Sequence, residues 1–435
     1  MQKQINIQMT NNVVWPSPTL YGVGHFTDLR LYFEALHIAK QYDKFSSRTL
    51  QKELPERVKG LVFVEGFQKT TFQDLIRELS RFGYIEKSDN LYKITEEGRS
   101  YLSLAVTDKE AAMDELLDKT QKVFVTPAWF IDRMWKLNPE GQGQIVIPAP
   151  IKEWKAKSRK WNDNKWDSEL EDVCKKTYTM VNNALPGSFP ICESSWISQL
   201  KREYERKGSL LPPKSVDSSD INNVVYNPRA RLSVVMKDVS VRSLFSITSP
   251  NTDKREFSNI RSQMSHRSFM IWCPRLESFG LLFYTDYKKE IPGRLLFPTS
   301  VYKKEVTNTN YSPKTFLTRL DGDYLHVHTP NWESIGKLFV DTLLEVYDFF
   351  YNKEGIMYIS LQDIRDEMCR ILRINPTTFE SFIQITYEYS LKRKIAYTIS
   401  LETDMRQDMK KQLNRRGVYI NGILNTLIAI KPYTL

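Results

Sequence analysis

Residues 70–104, TTFQDLIRELSRFGYIEKSDNLYKITEEGRSYLSL, restrict the chain more than any other stretch. Phe72, Leu75, Ile76, Leu79 and Phe82 recur three and four residues apart, which on a helix draws one apolar stripe. Gly83 ends that helix, because glycine takes the left-handed cap conformation without a Cβ clash. Tyr84-Ile85-Glu86-Lys87 and Leu91-Tyr92-Lys93-Ile94 are short and partly alternating around Ser88-Asp89-Asn90, the pattern of a hairpin. Thr95 then caps a closing helix with Glu96 and Glu97 in its first turn, where carboxylates meet the positive end of the helix dipole. Helix, two-stranded hairpin, helix is the prediction.

Two more helices precede it. In DLRLYFEALHIAKQYD, Leu29, Leu31, Tyr32, Ala35, Leu36 and Ala39 give a broad apolar face, and Ser47 opens a second helix that ends near Gly60. LVFVEGF then supplies a short strand or loop, and residues 1–25, with Pro16, Pro18, Gly22 and Gly24, read as an extended strap. Three helices, a hairpin and a closing helix resemble the winged helix-turn-helix superfamily over the first quarter of the chain. The resemblance implies a third helix that enters the DNA major groove and a wing that touches phosphate. Along that helix the residues predicted to face outward are Gln73, Asp74, Arg77, Glu78 and Arg81. Arg77 and Arg81 suit phosphate or guanine, whereas Asp74 and Glu78 would repel phosphate. A face this mixed suits protein docking as well as DNA.

The charge balance points the same way. The 435 residues carry 62 Lys and Arg against 52 Asp and Glu, a net charge of +10 that favours a polyanionic partner, DNA ahead of RNA. Cys174, Cys192, Cys273 and Cys369 form no CxxC pair, which argues against a zinc ribbon and for reduced thiols in a cytoplasmic protein. No apolar run reaches membrane-spanning length and the N-terminus lacks a signal-peptide core, so no membrane partner is expected.

Downstream, residues 108–122 and TPAWFIDRMWKL read as helices, the second densely apolar. From Pro139 to Ser168 the character changes. Lys155, Lys157, Arg159 and Lys160 alternate with Trp154, Trp161 and Trp166, a mixture that suits single-stranded nucleic acid, cations on the backbone and indoles on the bases. The alternative is a solvated segment whose tryptophans pack on the neighbouring domain. Residues 169–207 read as helix interrupted at Pro186-Gly187 and Pro190, and residues 208–228 as a linker. From Arg231 to Thr329, short aromatic and β-branched runs predict a mostly antiparallel sheet, with residues 249–264 as a loop and Asp321-Gly322 as a tight turn.

The last hundred residues echo the first. After a long helix from Asn331 and a Ser360-capped helix, Thr377-Thr378-Phe379-Glu380-Ser381-Phe382-Ile383 repeats the pattern of Thr70-Thr71-Phe72-Gln73-Asp74-Leu75-Ile76. IAYTISLETD and ILNTLIAIKP then form a plausible strand pair, so a second winged-helix-like unit is expected. Its cations are Lys392 and Arg393 at the helix end, and Lys410, Lys411, Arg415 and Arg416 between the two strands, where a basic wing would meet phosphate.

Catalytic signals are sparse. His326 and His328 alternate along one strand and could hold a divalent metal, but no third ligand lies at useful spacing. Asp286 with Lys288 and Lys289 resembles part of a nuclease core without its second acid. No Walker, GxSxG, HExxH or GxGxxG motif occurs. The expectation is an α+β, multi-domain protein: a winged helix with its strap to residue 107, a helical region over 108–210, a linker over 211–228, an antiparallel β domain over 229–330 and a winged-helix-like unit over 331–435. It needs no cofactor and has no catalytic residues. It would act as a DNA-associated adaptor or recognition subunit in a prokaryotic assembly of the mobile-element, defence or chromosome-handling kind, alongside other protein subunits. The alternatives are a metal-dependent nuclease using the central sheet and a pure protein scaffold.

Overall fold

A computed structural model describes residues 27–57, 69–124, 126–160, 165–206, 225–245, 264, 266–286, 291–299, 301–303, 312–318, 324–403, 418–420 and 423–432. The strap, the LVFVEGF segment, most of the linker, the 249–263 loop and the Asp321-Gly322 turn lie outside them.

Helices α1 (Arg30–Gln41), α2 (Ser47–Arg57) and α3 (Lys69–Arg81) come first, then a hairpin of β1 (Ile85–Ser88) and β2 (Leu91–Ile94), then α4 (Glu96–Thr107). Polar residues set these boundaries. Ser46 Oγ accepts the Thr49 N–H at 3.3 Å and starts α2, while Thr95 Oγ1 accepts the Gly98 N–H at 3.1 Å and starts α4. The Thr95 hydroxyl also donates to the Gly83 carbonyl at 2.7 Å, tying the two ends of the hairpin together. Gly83 has φ +80°, the left-handed conformation its position requires. Phe45, between α1 and α2, bridges to Tyr92 through reciprocal backbone bonds of 2.8 and 2.9 Å and adds a third short strand outside β2.

α5 (Lys109–Val123), capped by Asp108, and α6 (Thr126–Leu137) follow. Next come β3 (Ile145–Pro148), β4 (Arg159–Lys160), α7 (Ser168–Ala184), α8 (Glu193–Glu205), β5 (Val225–Tyr226), α9 (Pro228–Leu244) and α10 (His266–Ser278). The core beneath α1–α4 is continuous past residue 107: it takes in Leu116 and Phe124 and, from α10, Ile271 and Trp272.

The expected β domain over residues 229–330 is corrected here. Its first half is helical, as α9 and α10. Asn227 caps α9 by accepting the Arg229 N–H, and Pro228 occupies the first helical position, where its fixed φ fits and no N–H is missed. Leu232, Val235, Met236 and Val239 are buried at helical spacing, as are Phe269, Trp272, Cys273 and Leu276. Both helices are covered on most sides. Their β-branched and aromatic residues therefore imitate a strand composition that burial overrides. Strands are confined to the second half: β6 (Leu282–Asp286), β7 (Gly293–Pro298), β8 (Val301–Lys303), β9 (Ser312–Thr318) and β10 (Tyr324–Thr329). β7 is central in the order β3-β7-β6, and its antiparallel partner β3, read from sequence only as part of a boundary, runs in register from Ile145↔Leu296 to Pro148↔Gly293. β8 pairs antiparallel with β10.

The chain closes with α11 (Trp332–Glu354), β11 (Ile359–Ser360), α12 (Leu361–Leu372), α13 (Pro376–Leu391), β12 (Tyr397–Glu402), β13 (Val418–Ile420), β14 (Ile423–Asn425) and β15 (Leu427–Pro432). β12 and β15 pair antiparallel from Tyr397↔Pro432 to Glu402↔Leu427, and β11 lies on the other side of β15. With the β13–β14 hairpin taken as an insertion between β12 and β15, and the bridging residue Phe45 standing where β11 stands, the order helix, short strand, helix, helix, strand, strand occurs twice. Each time the short first strand neighbours the last one, as Phe45 neighbours β2. Even the cap repeats: Ser360, like Ser46, follows the bridging residue and accepts the N–H three residues on. Four of the echoed positions share their burial, Thr71, Phe72, Leu75 and Ile76 in α3 matching Thr378, Phe379, Phe382 and Ile383 in α13, whereas Asp74 is buried and its counterpart Ser381 exposed.

The fold is α+β, and it divides into two compact units. One runs to Phe279 and takes up Tyr284–Leu296, and the other holds Gly280–Phe283 and the chain from Tyr324 onward. Among the described residues no helix is long and apolar enough to cross a membrane.

Candidate nucleic-acid interface

The third helix of the first unit has two faces, and they differ from the sequence expectation at two positions. Phe72, Leu75, Ile76 and Leu79 point inward. So do Asp74 and Glu78, which the sequence reading places outside. Glu78 is fully buried, where it accepts a hydrogen bond from the Tyr32 hydroxyl and faces Arg275 Nη1 at 3.2 Å, with the guanidinium equally buried. Burial works to strip the Arg275 charge, and Glu78, helped by Tyr32 and Asp74, outweighs it and holds the guanidinium above its ordinary range. Tyr32 is driven well above the usual tyrosine value, chiefly by burial. The sequence does carry a clue. Arg275 is a lone cation in the apolar run of α10, and a buried arginine requires a carboxylate.

With both acids turned in, the exposed residues among the described side chains of α3 are Gln73, Arg77 and Ser80, with Arg81 half-buried beside them. Arg77 Nη1 lies 3.1 Å from Asp74 Oδ1 at the edge of this face, with the arginine half-exposed. A helix presenting glutamine, arginine and serine at this spacing offers an amide, a guanidinium and a hydroxyl, the groups that read adenine and guanine edges or hold phosphate. The hairpin beside it is balanced in charge: Lys93 pairs with Glu86 and Lys44 with Asp89, both at 2.9 Å.

The two described tryptophans of the tryptophan-rich segment are engaged by the fold. Trp154 is buried and its Nε1–H donates to Glu169 Oε1 at 2.7 Å. The Trp166 ring meets Tyr204 edge-on, centroids 5.8 Å apart. Arg159 is held by Asp167 at 2.7 Å and Glu169 at 3.1 Å, so its charge is largely answered within the fold. Lys155, Lys157 and Lys160 are exposed, and Trp161 lies outside the described residues.

In the second unit, Lys392, Arg393 and Lys394 are exposed at the end of α13. Lys392 is 3.7 Å from Glu388, and Lys394 lies over the Tyr389 ring at 5.1 Å. Exposed Thr377 and Ser381 start the outward side of α13, which carries no cation before Lys392. Lys410, Lys411, Arg415 and Arg416 lie outside the described residues, between β12 and β13. His326 and His328 fall on β10, opposite Tyr302 in the case of His326. Asp286 ends β6, and Lys288 and Lys289 lie outside the described residues. No group of three or more metal-binding side chains gathers among the described residues. No protein-family model, curated protein or solved structure matches the chain.

Proposed function

We propose that the chain is a non-catalytic, DNA-associated adaptor or recognition subunit of a larger prokaryotic assembly, of the mobile-element, defence or chromosome-handling kind, working in the cytoplasm with other protein subunits. It would do so through two winged helix-turn-helix units. The observation that carries this reading is the twice-used order of elements, together with a third helix in the first copy whose exposed face has lost its acids to the interior. A face of glutamine, arginine and serine suits the wide major groove of B-form DNA, whereas the deep, narrow major groove of an RNA helix excludes a helix. In this reading Arg77 and Arg81 serve the first unit, and Lys392, Arg393, Lys410, Lys411, Arg415 and Arg416 serve the second. Lys155, Lys157 and Lys160 add positive charge between them in sequence.

Binding of a fluorescent duplex, titrated at two salt concentrations, tests the reading. Affinity is expected to fall steeply with salt, and Arg77→Glu to weaken binding by about tenfold or more, the worth of one guanidinium contact. A protein that binds no duplex at low salt, alone or with co-purifying subunits, is a protein-only scaffold instead.

A further inference from the structure

Residues 150–160 combine a fixed backbone with exposed cations. Arg229 fixes the backbone: its guanidinium donates to the carbonyls of Pro150 at 3.0 Å, Ile151 at 2.7 Å and Trp154 at 2.6 Å, with Lys152 at 3.4 Å. Trp154 is anchored to Glu169, and Arg159 to Asp167 and Glu169. Backbone pairing of Arg159 with Tyr226 and of Lys160 with Val225 holds the far end. Of the described residues of this stretch, the indole of Trp154 and the guanidinium of Arg159 are thereby engaged by the fold, and what remains exposed is Lys152, Lys155, Lys157 and Lys160, with Ser158 among them and Glu153 the one exposed acid.

We infer that this stretch is a lysine rail that takes nucleic acid by its phosphates alone, without stacking or reading bases. The inference rests on the DNA-associated reading above and adds a distinct chemistry to it. Lysine ammoniums act as point charges on flexible stems and suit phosphate without geometric selection. An anchored backbone holds the roots of those stems in place, so binding costs little backbone ordering entropy. The rail is therefore indifferent to strand form, gripping a duplex, a single strand or a baseless strand alike.

The test uses the full chain and three fluorescent probes of equal length: a mixed-sequence duplex, oligo-dT, and an abasic deoxyribose-phosphate strand. Lys155, Lys157 and Lys160 are changed together to Glu in one variant and to Gln in a second, which keeps the test open if charge reversal disturbs folding. Both variants are expected to lose affinity by a similar factor on all three probes, by at least about tenfold at low salt for the Glu variant. The salt slope should fall by about 0.9 per lost contact on the duplex and about 0.7 on single strands. A loss confined to oligo-dT overturns the inference in favour of base stacking. Unchanged affinity and slope in both variants overturn the rail while leaving the DNA-associated reading intact, because the wild type still binds. A wild type that binds none of the probes overturns that reading and the rail with it.

Discussion

Glu78 shows how one side chain decides the character of a surface. An acid outside α3 would repel phosphate; buried against Arg275 and Tyr32 it becomes a structural group and leaves the exposed face polar and basic. Removing one partner leaves an uncompensated buried charge, so Arg275→Met should destabilise the first unit by about 3–5 kcal/mol. The double variant Glu78→Leu with Arg275→Met should recover most of that loss, because an ion pair replaced by apolar groups of similar volume is often neutral. Urea unfolding of both variants checks this, and a double variant as weak as the single one would argue against the pair. His266 gives a pH test. Burial, reinforced by Lys237, lowers its pKa below the ordinary 6.5. The unfolded chain therefore takes up the proton first. Stability present above pH 6.5 should decline as pH falls from there through the lower folded value, and His266→Gln should flatten that decline in unfolding measured from pH 7.5 to 5. At this scale the sequence was a partial guide. Helical spacing identifies Phe72, Leu75 and Leu79 as core, but Glu78 flanks that stripe, and a carboxylate at its margin reads as solvent-facing until its distant arginine is known.

Among the elements, the matched pair α3 and α13 is the informative one. Phe72 and Phe379 hold equivalent buried places, so Phe72→Ala and Phe379→Ala should each cost about 3–5 kcal/mol from lost burial and the cavity left behind. Hydrogen exchange should localise each loss to its own unit; protection lost in both units by either change would contradict independent cores. Elements with one exposed face were legible because periodicity is visible only where one side is polar: α3, the β1–β2 hairpin and α4 fall where the spacing puts them. α9 and α10 were not legible. In α9 the polar side, Ser233, Lys237, Asp238 and Arg242, is interleaved with β-branched residues that favour a strand reading, and in α10 the apolar run of Phe, Ile and Trp is interrupted by Pro274, so neither shows a clean helical period. β3 was missed for a related reason: its partner β7 follows 145 residues or more later, and no local signal announces a pairing at that range.

Across the whole molecule, the basic groups of the second unit set the charge-reversal experiment. Changing Lys410, Lys411, Arg415 and Arg416 together to Glu should weaken duplex binding and lower the salt slope by about 0.9 for each contact removed. Folding should move by less than about 0.5 kcal/mol per site if these are exposed surface charges. Unchanged binding would assign the phosphate contacts elsewhere. Replacing His326 and His328 together with Ala should leave binding intact, and zinc or manganese that co-purifies with the wild type and is lost from this variant would restore the metal hypothesis.

The core beneath α1–α4 also has a history in time. Glu78 and Arg275 are 197 residues apart, and Trp272 joins the same core from α10. At ribosomal speeds of about 5–20 residues per second, roughly 10–40 s separate the synthesis of the carboxylate from that of its arginine. Throughout that interval the nascent first quarter of the chain carries an acid whose arginine has not yet been made, and an open apolar seam. A gene truncated after residue 107 should therefore yield a product that aggregates or recruits chaperones, whereas one extended through α10 should stay in solution.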